Sequence, residues 1–191
     1  MELRIFDIEG PLELVPKRIG DERGYFAETL RLSALEERAG PINFVQDNQS
    51  LSVRAGTIRG IHFQSHPAAQ AKLVRCLAGK LFDVAVDLRA DSPTFGRWIS
   101  VVLSPDEINQ LWVPVGFGHG FCALEPNSII SYRVTSYYSP EHDKGVAWND
   151  PAIGIRWPDI ADPETLSQKD RHQPTLAQLA RFFTMEDSRC G

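Results

Sequence analysis

Two apolar segments, 72–77 and 81–88, joined across Ala78-Gly79-Lys80, constrain this chain more than any other feature. In the second, Phe82, Val84, Val86 and Leu88 alternate with Asp83, Ala85, Asp87 and Arg89. Strand side chains point alternately to opposite faces, so this spacing predicts a β-strand with one apolar and one more polar face. The short glycine-containing connection predicts that the two segments pair as a hairpin. Similar runs recur between 14 Gly and 13 Pro, and predict strands at 98–103, 111–113, 120–124 and 128–137. Segments 13–18 and 24–30 flank a turn at Gly20-Asp21-Glu22-Arg23. A chain punctuated this way reads as a sandwich or barrel of antiparallel strands. Helices are few. Ser33-Ala34-Leu35-Glu36 has the form of a capping box opening a short helix to about Ala39. Leu176, Leu179, Ala180 and Phe183 stand at helical spacing over 175–183, as a packing stripe.

With 191 residues and no repeat, linker or low-complexity tract, the chain is expected to form one domain, 1–191. A net charge of -5 argues against a general nucleic-acid binder, which would show a basic face. No apolar stretch approaches the roughly 20 residues of a membrane helix. The start, MELRIFDIEG, lacks the apolar core of a secretory signal. Cys76, Cys122 and Cys190 form no CxxC pair, so inert thiols in a reducing cytoplasm are expected.

The segment 57–79, TIRGIHFQSHPAAQAKLVRCLAG, has the length and glycine placement of the first half of a cupin barrel site. A metal-binding cupin places two histidines as HxH, then a Glu, then a glycine seven residues on. Here His62 is followed by Phe63 and Gln64, and Lys72 occupies the Glu position before Gly79. Pro114-Val115-Gly116-Phe117-Gly118-His119 matches the second half of the pattern, P-x-G-x-x-H. A cation in place of a carboxylate repels a divalent metal and suits a developing oxyanion. The expectation is an all-β, cupin-type jelly-roll barrel with a few short flanking helices. Its site is expected to use acid–base chemistry on an anionic or enolising substrate, with no metal and no cofactor.

Several residues could carry that chemistry. A lone strand histidine usually serves packing, but His62 has company. A histidine base needs a partner to fix its tautomer, and Asp170 in LSQKDR is a candidate. The phenol of Tyr132, in ISYRVTSYY, can deliver a proton near neutral pH, and strand parity puts Tyr138 on its face. Tyr138 could instead stack on a planar base. His119, without an HxH pair, is expected to hydrogen-bond substrate or orient a neighbour. Gln46, Asp47 and Asn48, ahead of a strand, offer groups suited to sugar hydroxyls. Arg23 and Arg59 suit phosphate oxygens. Arg59 and His62 have opposite parity, so both face one pocket only if Gly60 bends or bulges the strand.

Taken in order, DERGYFAETL, FVQDNQS, IRGIHFQ, QAKLVRC, LFDVAVDLR, SPTFG, LWVPVGFGHGF, YYSPE, GVAWND and LSQKD resemble the dTDP-4-dehydrorhamnose 3,5-epimerase family from about Asp21 to Asp170. The resemblance implies a metal-free cupin jelly roll, acting as a homodimer on the nucleotide sugar dTDP-4-dehydro-6-deoxy-D-glucose. It implies that His62 is the base, Asp170 its dyad partner, Tyr132 the opposing acid and Lys72 the enolate-stabilising cation. Arg23, Glu28, Gln46, Asn48, Arg59, His119 and Lys169 match substrate-binding positions, Asp143 a further polar contact, and Tyr138 the residue stacking on thymine. The front segment carrying Arg23 and Glu28 is the candidate for reaching the partner subunit's site. Ile61, Phe63 and Ala71 depart from the family's common residues at packing scale. Because the catalytic types are shared, a relative inverting C3 alone stays open. A metal-dependent cupin oxygenase lacks support in the missing HxH and in Lys72. A non-catalytic sugar-nucleotide module would need no opposed acid and base.

Overall fold

A computed structural model of the chain describes residues 1–189. Cys190, expected to be an inert thiol, lies outside them. In chain order the first strands are β1 (Glu2–Ile5), β2 (Leu12–Val15), β3 (Arg18–Asp21), β4 (Gly24–Ala27) and β5 (Gln46–Ser52). There follow β6 (Ile58–Gln64), β7 (Lys72–Ala78), β8 (Leu81–Asp87) and β9 (Trp98–Leu103). The last are β10 (Gln110–Val113), β11 (Phe117–Ala123), β12 (Ser128–Val134) and β13 (Asp143–Gly145). Helices α1 (Leu32–Ala39) and α2 (Gln168–Arg171) flank them.

One antiparallel sheet runs β1-β2-β10-β7-β12-β5 and the other β13-β6-β11-β8-β9, while β3 and β4 pair apart as a hairpin. The segments 72–77 and 81–88 are strands, as predicted, but they are not a hairpin. β7 lies between β10 and β12, and β8 lies in the other sheet between β11 and β9. Gly79 turns the corner between sheets at φ 70°, where an added Cβ would stand 2.3 Å from the Ser128 hydroxyl. Alternation reveals a strand and its faces. It does not reveal which neighbour supplies the ladder, which depends on long-range packing.

Val74, Cys76, Leu81, Ala85, Leu111, Val113, Phe121 and Ile130 fill one core cluster, to which both sheets contribute. The outward faces are covered too. Leu12, Leu14, Leu73 and Trp112 pack with Leu35 of α1, and Ile61, Phe63, Val84 and Val86 pack with Ile153 and Phe183. The more polar face of β8 is therefore not a wet one: Asp83, Asp87 and Arg89 are 0%, 0% and 1% exposed. Asp87 takes two hydrogen bonds from the Arg89 guanidinium, at 2.9 and 2.7 Å, and others from Ser92 and Thr94. A buried ion pair with its remaining lone pairs filled this way is tolerable.

Other boundaries move for local reasons. α1 begins one residue before Ser33, and its cap Arg31 makes no side-chain capping bond. Glu36 instead accepts the Ile42 amide at 3.1 Å, closing the helix exit rather than a capping box. Residues 175–183 make one turn, not a helix. The Gln178 side chain accepts from both the amide and hydroxyl of Thr175, and Asp150 takes the Leu176 amide. Leu176, Leu179 and Phe183 still pack on the core, as the stripe required, and Phe183 bridges to Arg89. At the front, segments 13–18 and 24–30 contract to β2 and to the β3–β4 hairpin; β12 stops at Val134 and β11 starts early, at Phe117. Cys76 and Cys122 are buried free thiols, both pushed up by burial to about 11.

Candidate active site

The site is built where β6 crosses β11. His62 faces His119 in register, then the ladder slips, and Arg59 faces Phe121. Only glycine fits at the slip, since a Cβ on Gly60 would stand 2.6 Å from the Gly120 Cα. This is the irregularity the parity argument demanded. Arg59 and His62 line one hollow.

α2 supplies the carboxylate. Ser167 caps it by accepting the Asp170 amide at 3.1 Å. The Asp170 carboxylate, 4% exposed, accepts the His62 Nε2–H, with 2.5 Å between Nε2 and Oδ1. Burial works to raise the Asp170 pKa, but hydrogen bonds from His62, Ser167 and the Gly60 backbone prevail and hold it below the usual carboxylate value. An imidazole that gives Nε2–H to a carboxylate keeps its lone pair on Nδ1, as a base requires.

Lys72 opens β7 and is 8% exposed. Its Nζ reaches the His62 carbonyl at 3.4 Å, and among the described residues no carboxylate lies within ion-pair distance. Burial drives its pKa down to about 8, with Asp143 and Asp83 resisting and Lys169 assisting. It is a buried cation with room for an anion. Burial also raises the Tyr132 phenol above its ordinary value, Arg59 opposing and Asp143 assisting. A phenol held neutral is a proton donor.

Two adjoining hollows, each about 340 Å³, share His62, Lys72 and Tyr132. Arg59, His119, Phe121, Thr165 and Asp170 line the first. Gln46, Asn48, Tyr138, Asp143 and Lys169 line the second. Tyr138 arrives through the bend after β12 rather than on the strand. Its hydroxyl donates to Asp143 at 3.0 Å, Lys169 donates to the same carboxylate, and its ring stays exposed for stacking. Larger hollows of about 700 and 590 Å³ lie elsewhere, and neither is lined by a histidine.

Three expected residues are not brought into the cleft. Asp47 sits on β5 itself, not before it, so parity turns it away from Gln46 and Asn48 toward Arg133 and Ser131. Arg23 pairs with Asp21 on the exposed hairpin, and Glu28 pairs with Arg31. Sequence reasoning also missed Asp83, whose two oxygens lie 3.0 and 3.1 Å from His119 Nε2. Its signal was a carboxylate sharing a strand face with Ala85. Ser50, Thr165 and Gln70 line the cleft with no pattern to mark them. Among the described residues no cluster of three His, Cys, Asp or Glu side chains could hold a metal ion.

Two antiparallel sheets around one cleft, with a histidine–carboxylate dyad, a buried lysine and a neutral phenol, define a cupin-type jelly-roll enzyme that moves protons. The chain belongs to the dTDP-4-dehydrorhamnose 3,5-epimerase family, whose model matches residues 6–178. It is 53% identical over 168 residues to the dTDP-4-dehydrorhamnose 3,5-epimerase of Sinorhizobium fredii, covering 88% of this chain and 86% of that one. The solved rmlC epimerase of Mycobacterium tuberculosis superposes with a TM-score of 0.92 at 36% identity, covering 99% of this chain and 96% of that one. The Legionella pneumophila dTDP-6-deoxy-D-glucose-3,5-epimerase, solved in complex with dTDP-4-keto-L-rhamnose, gives 0.86 at 41% identity, with 94% of each chain covered.

Proposed function

We propose that the protein converts dTDP-4-dehydro-6-deoxy-D-glucose to dTDP-4-dehydro-L-rhamnose, inverting C3 and C5 on the route to dTDP-L-rhamnose. The observation that carries this reading is a buried lysine that has no direct counter-ion among the described residues and shares one cleft with a His–Asp dyad and a phenol. The C4 ketone acidifies the protons on C3 and C5. His62 takes one of them, and Asp170 stabilises the imidazolium that forms. The enolate charge then develops on the C4 oxygen, where Lys72 receives it. Such stabilisation in a dry site is typically worth roughly 3–4 kcal/mol per donor. Tyr132 returns a proton from the opposite face, which inverts the carbon. A base with no opposing acid would only exchange the proton in place.

Binding follows the same division of the cleft. His119 and Arg59 serve the sugar and phosphate side. Gln46, Asn48, Asp143 and Lys169 serve the nucleoside side, where Tyr138 stacks on thymine. We assign the working form as a cytoplasmic homodimer. Its support is the β3–β4 hairpin, which exposes Ile19, Tyr25 and Phe26 at 62%, 56% and 69%. The same hairpin carries Arg23, with Glu28 just beyond it, outside the cleft of its own subunit. On this reading it supplies both residues to the partner.

Incubation with the substrate in deuterium oxide tests the reading. Label at C3 and C5 is expected. Label at neither would sink it, and label at C3 alone would make the protein a C3-only epimerase.

A further inference from the structure

Asp83 is a fully buried carboxylate that the reaction above does not use. It is 0% exposed, and among the described residues its hydrogen-bond donor is the His119 ring alone. Isolated buried carboxylates are expensive unless charge lies close by. The sheet register explains why these two groups meet. Asp83 of β8 is opposite Phe121 of β11, and Ala85 is opposite His119. Asp83 and His119 are therefore diagonal neighbours on one face, within reach of long side chains.

Lys72 feels the Asp83 charge as well. The groups around that ammonium come from every surrounding element: His62 on β6, Asp83 on β8, His119 on β11, Tyr132 on β12, Asp143 on β13 and Lys169 on α2. Two of these are anions. Asp143, which also accepts from Tyr138 and Lys169, acts on Lys72 more strongly, and Asp83 comes next. Among the described residues Asp83 has no lysine or arginine hydrogen-bond or ion-pair partner. Its charge acts on Lys72, favouring the ammonium form.

We infer that Asp83 is a positioning residue: it clamps the His119 imidazole through Nε2 and adds a second carboxylate charge, beside that of Asp143, to the surroundings of Lys72. The inference rests on the epimerase reading. With Nε2–H given to Asp83, His119 has Nδ1 left for the sugar. With the charges of Asp143 and Asp83 opposing its desolvation, Lys72 is favoured in its ammonium form before the C4 oxygen develops its own charge. The arrangement sets up both groups without Asp83 touching substrate.

The experiment follows deuterium exchange and kcat between about pH 6 and 10 for the wild type, Asp83→Asn, Asp83→Glu and His119→Gln. In Asp83→Asn, kcat is expected to fall about tenfold to a hundredfold with KM little changed. Its alkaline limb should also move about one pH unit lower, because an ammonium that loses a nearby anion releases its proton sooner. Asp83→Glu should restore the limb. His119→Gln should lose kcat while keeping the wild-type limb, since the Asp83 charge remains. Wild-type kcat with an unmoved limb in Asp83→Asn would overturn the inference and leave the epimerase reading intact. Absence of exchange in the wild type would overturn both. If Asp83→Asn fails to fold, His119→Gln decides: unchanged kcat there refutes the clamp.

Discussion

His62 Nε2 stands 2.5 Å from Asp170 Oδ1, although 108 residues separate them along the chain. The contact exists because a Ser167-capped turn of helix lays a buried carboxylate against the bend that Gly60 makes in β6. Asp170→Asn keeps the shape but can present an amide N–H to the ring and favour the wrong tautomer. The rate of solvent deuterium exchange should fall by at least about a hundredfold with the fold unchanged. Exchange at the wild-type rate would remove the dyad.

Tyr132 is expected to act after the proton has left. Tyr132→Phe should impair inversion more than exchange, giving substrate that carries deuterium but keeps its configuration. Mass spectrometry with NMR of the recovered sugar distinguishes the two. Equal losses would argue against an opposing acid.

The ammonium of Lys72 is the active form, and its pKa is about 8. Activity should therefore hold below that pH and decline as pH rises through it. A kcat profile flat to pH 10 would show that another group carries the enolate charge.

The same burial makes Lys72 a liability for stability. Its folded pKa lies below the unfolded value of 10.5, so the folded state releases the proton first. Stability is reduced below about pH 8 and recovers as pH climbs toward 10.5. Lys72→Met should abolish turnover yet raise unfolding free energy on the order of 1–3 kcal/mol at pH 7. The gain should shrink near pH 10, which urea titrations at both pH values would register.

Phe26 lies on the exposed apolar hairpin, away from its own cleft. Phe26→Asp should convert a dimer to monomers in sedimentation and lower activity together with the association. A dimer of wild-type activity would place the interface elsewhere.

Much of this was legible beforehand because it is local. Trp98–Leu103 is a strand at the predicted bounds, and the P-x-G-x-x-H run does deliver His119 into β11. Ordered motifs from Asp21 to Asp170 identified the family, and spacing alone marked Lys72 as the departure from a metal cupin. The errors share one cause. The 72–88 hairpin, the 175–183 helix and the placing of Asp47 beside Gln46 each extended a local pattern beyond what local pattern controls. A strand's partners and the conformation of a packing stripe are decided by distant residues. Here those were Ser128 against Gly79, and Asp150 against Leu176.

By itself, the sequence determined which residue types the chain could bring to an acid–base site, and that strands would carry them. Side-chain chemistry and two-residue periodicity are properties of short segments. Tertiary structure alone decided that β7 and β8 belong to opposite sheets, that Asp170 meets His62, and that Asp83 lies buried behind His119. Those relationships arise from closing long loops around a shared core, where burial changes what a charge can do. Lys72 shows the difference: its identity was plain in the chain, but its readiness for an anion came from the fold.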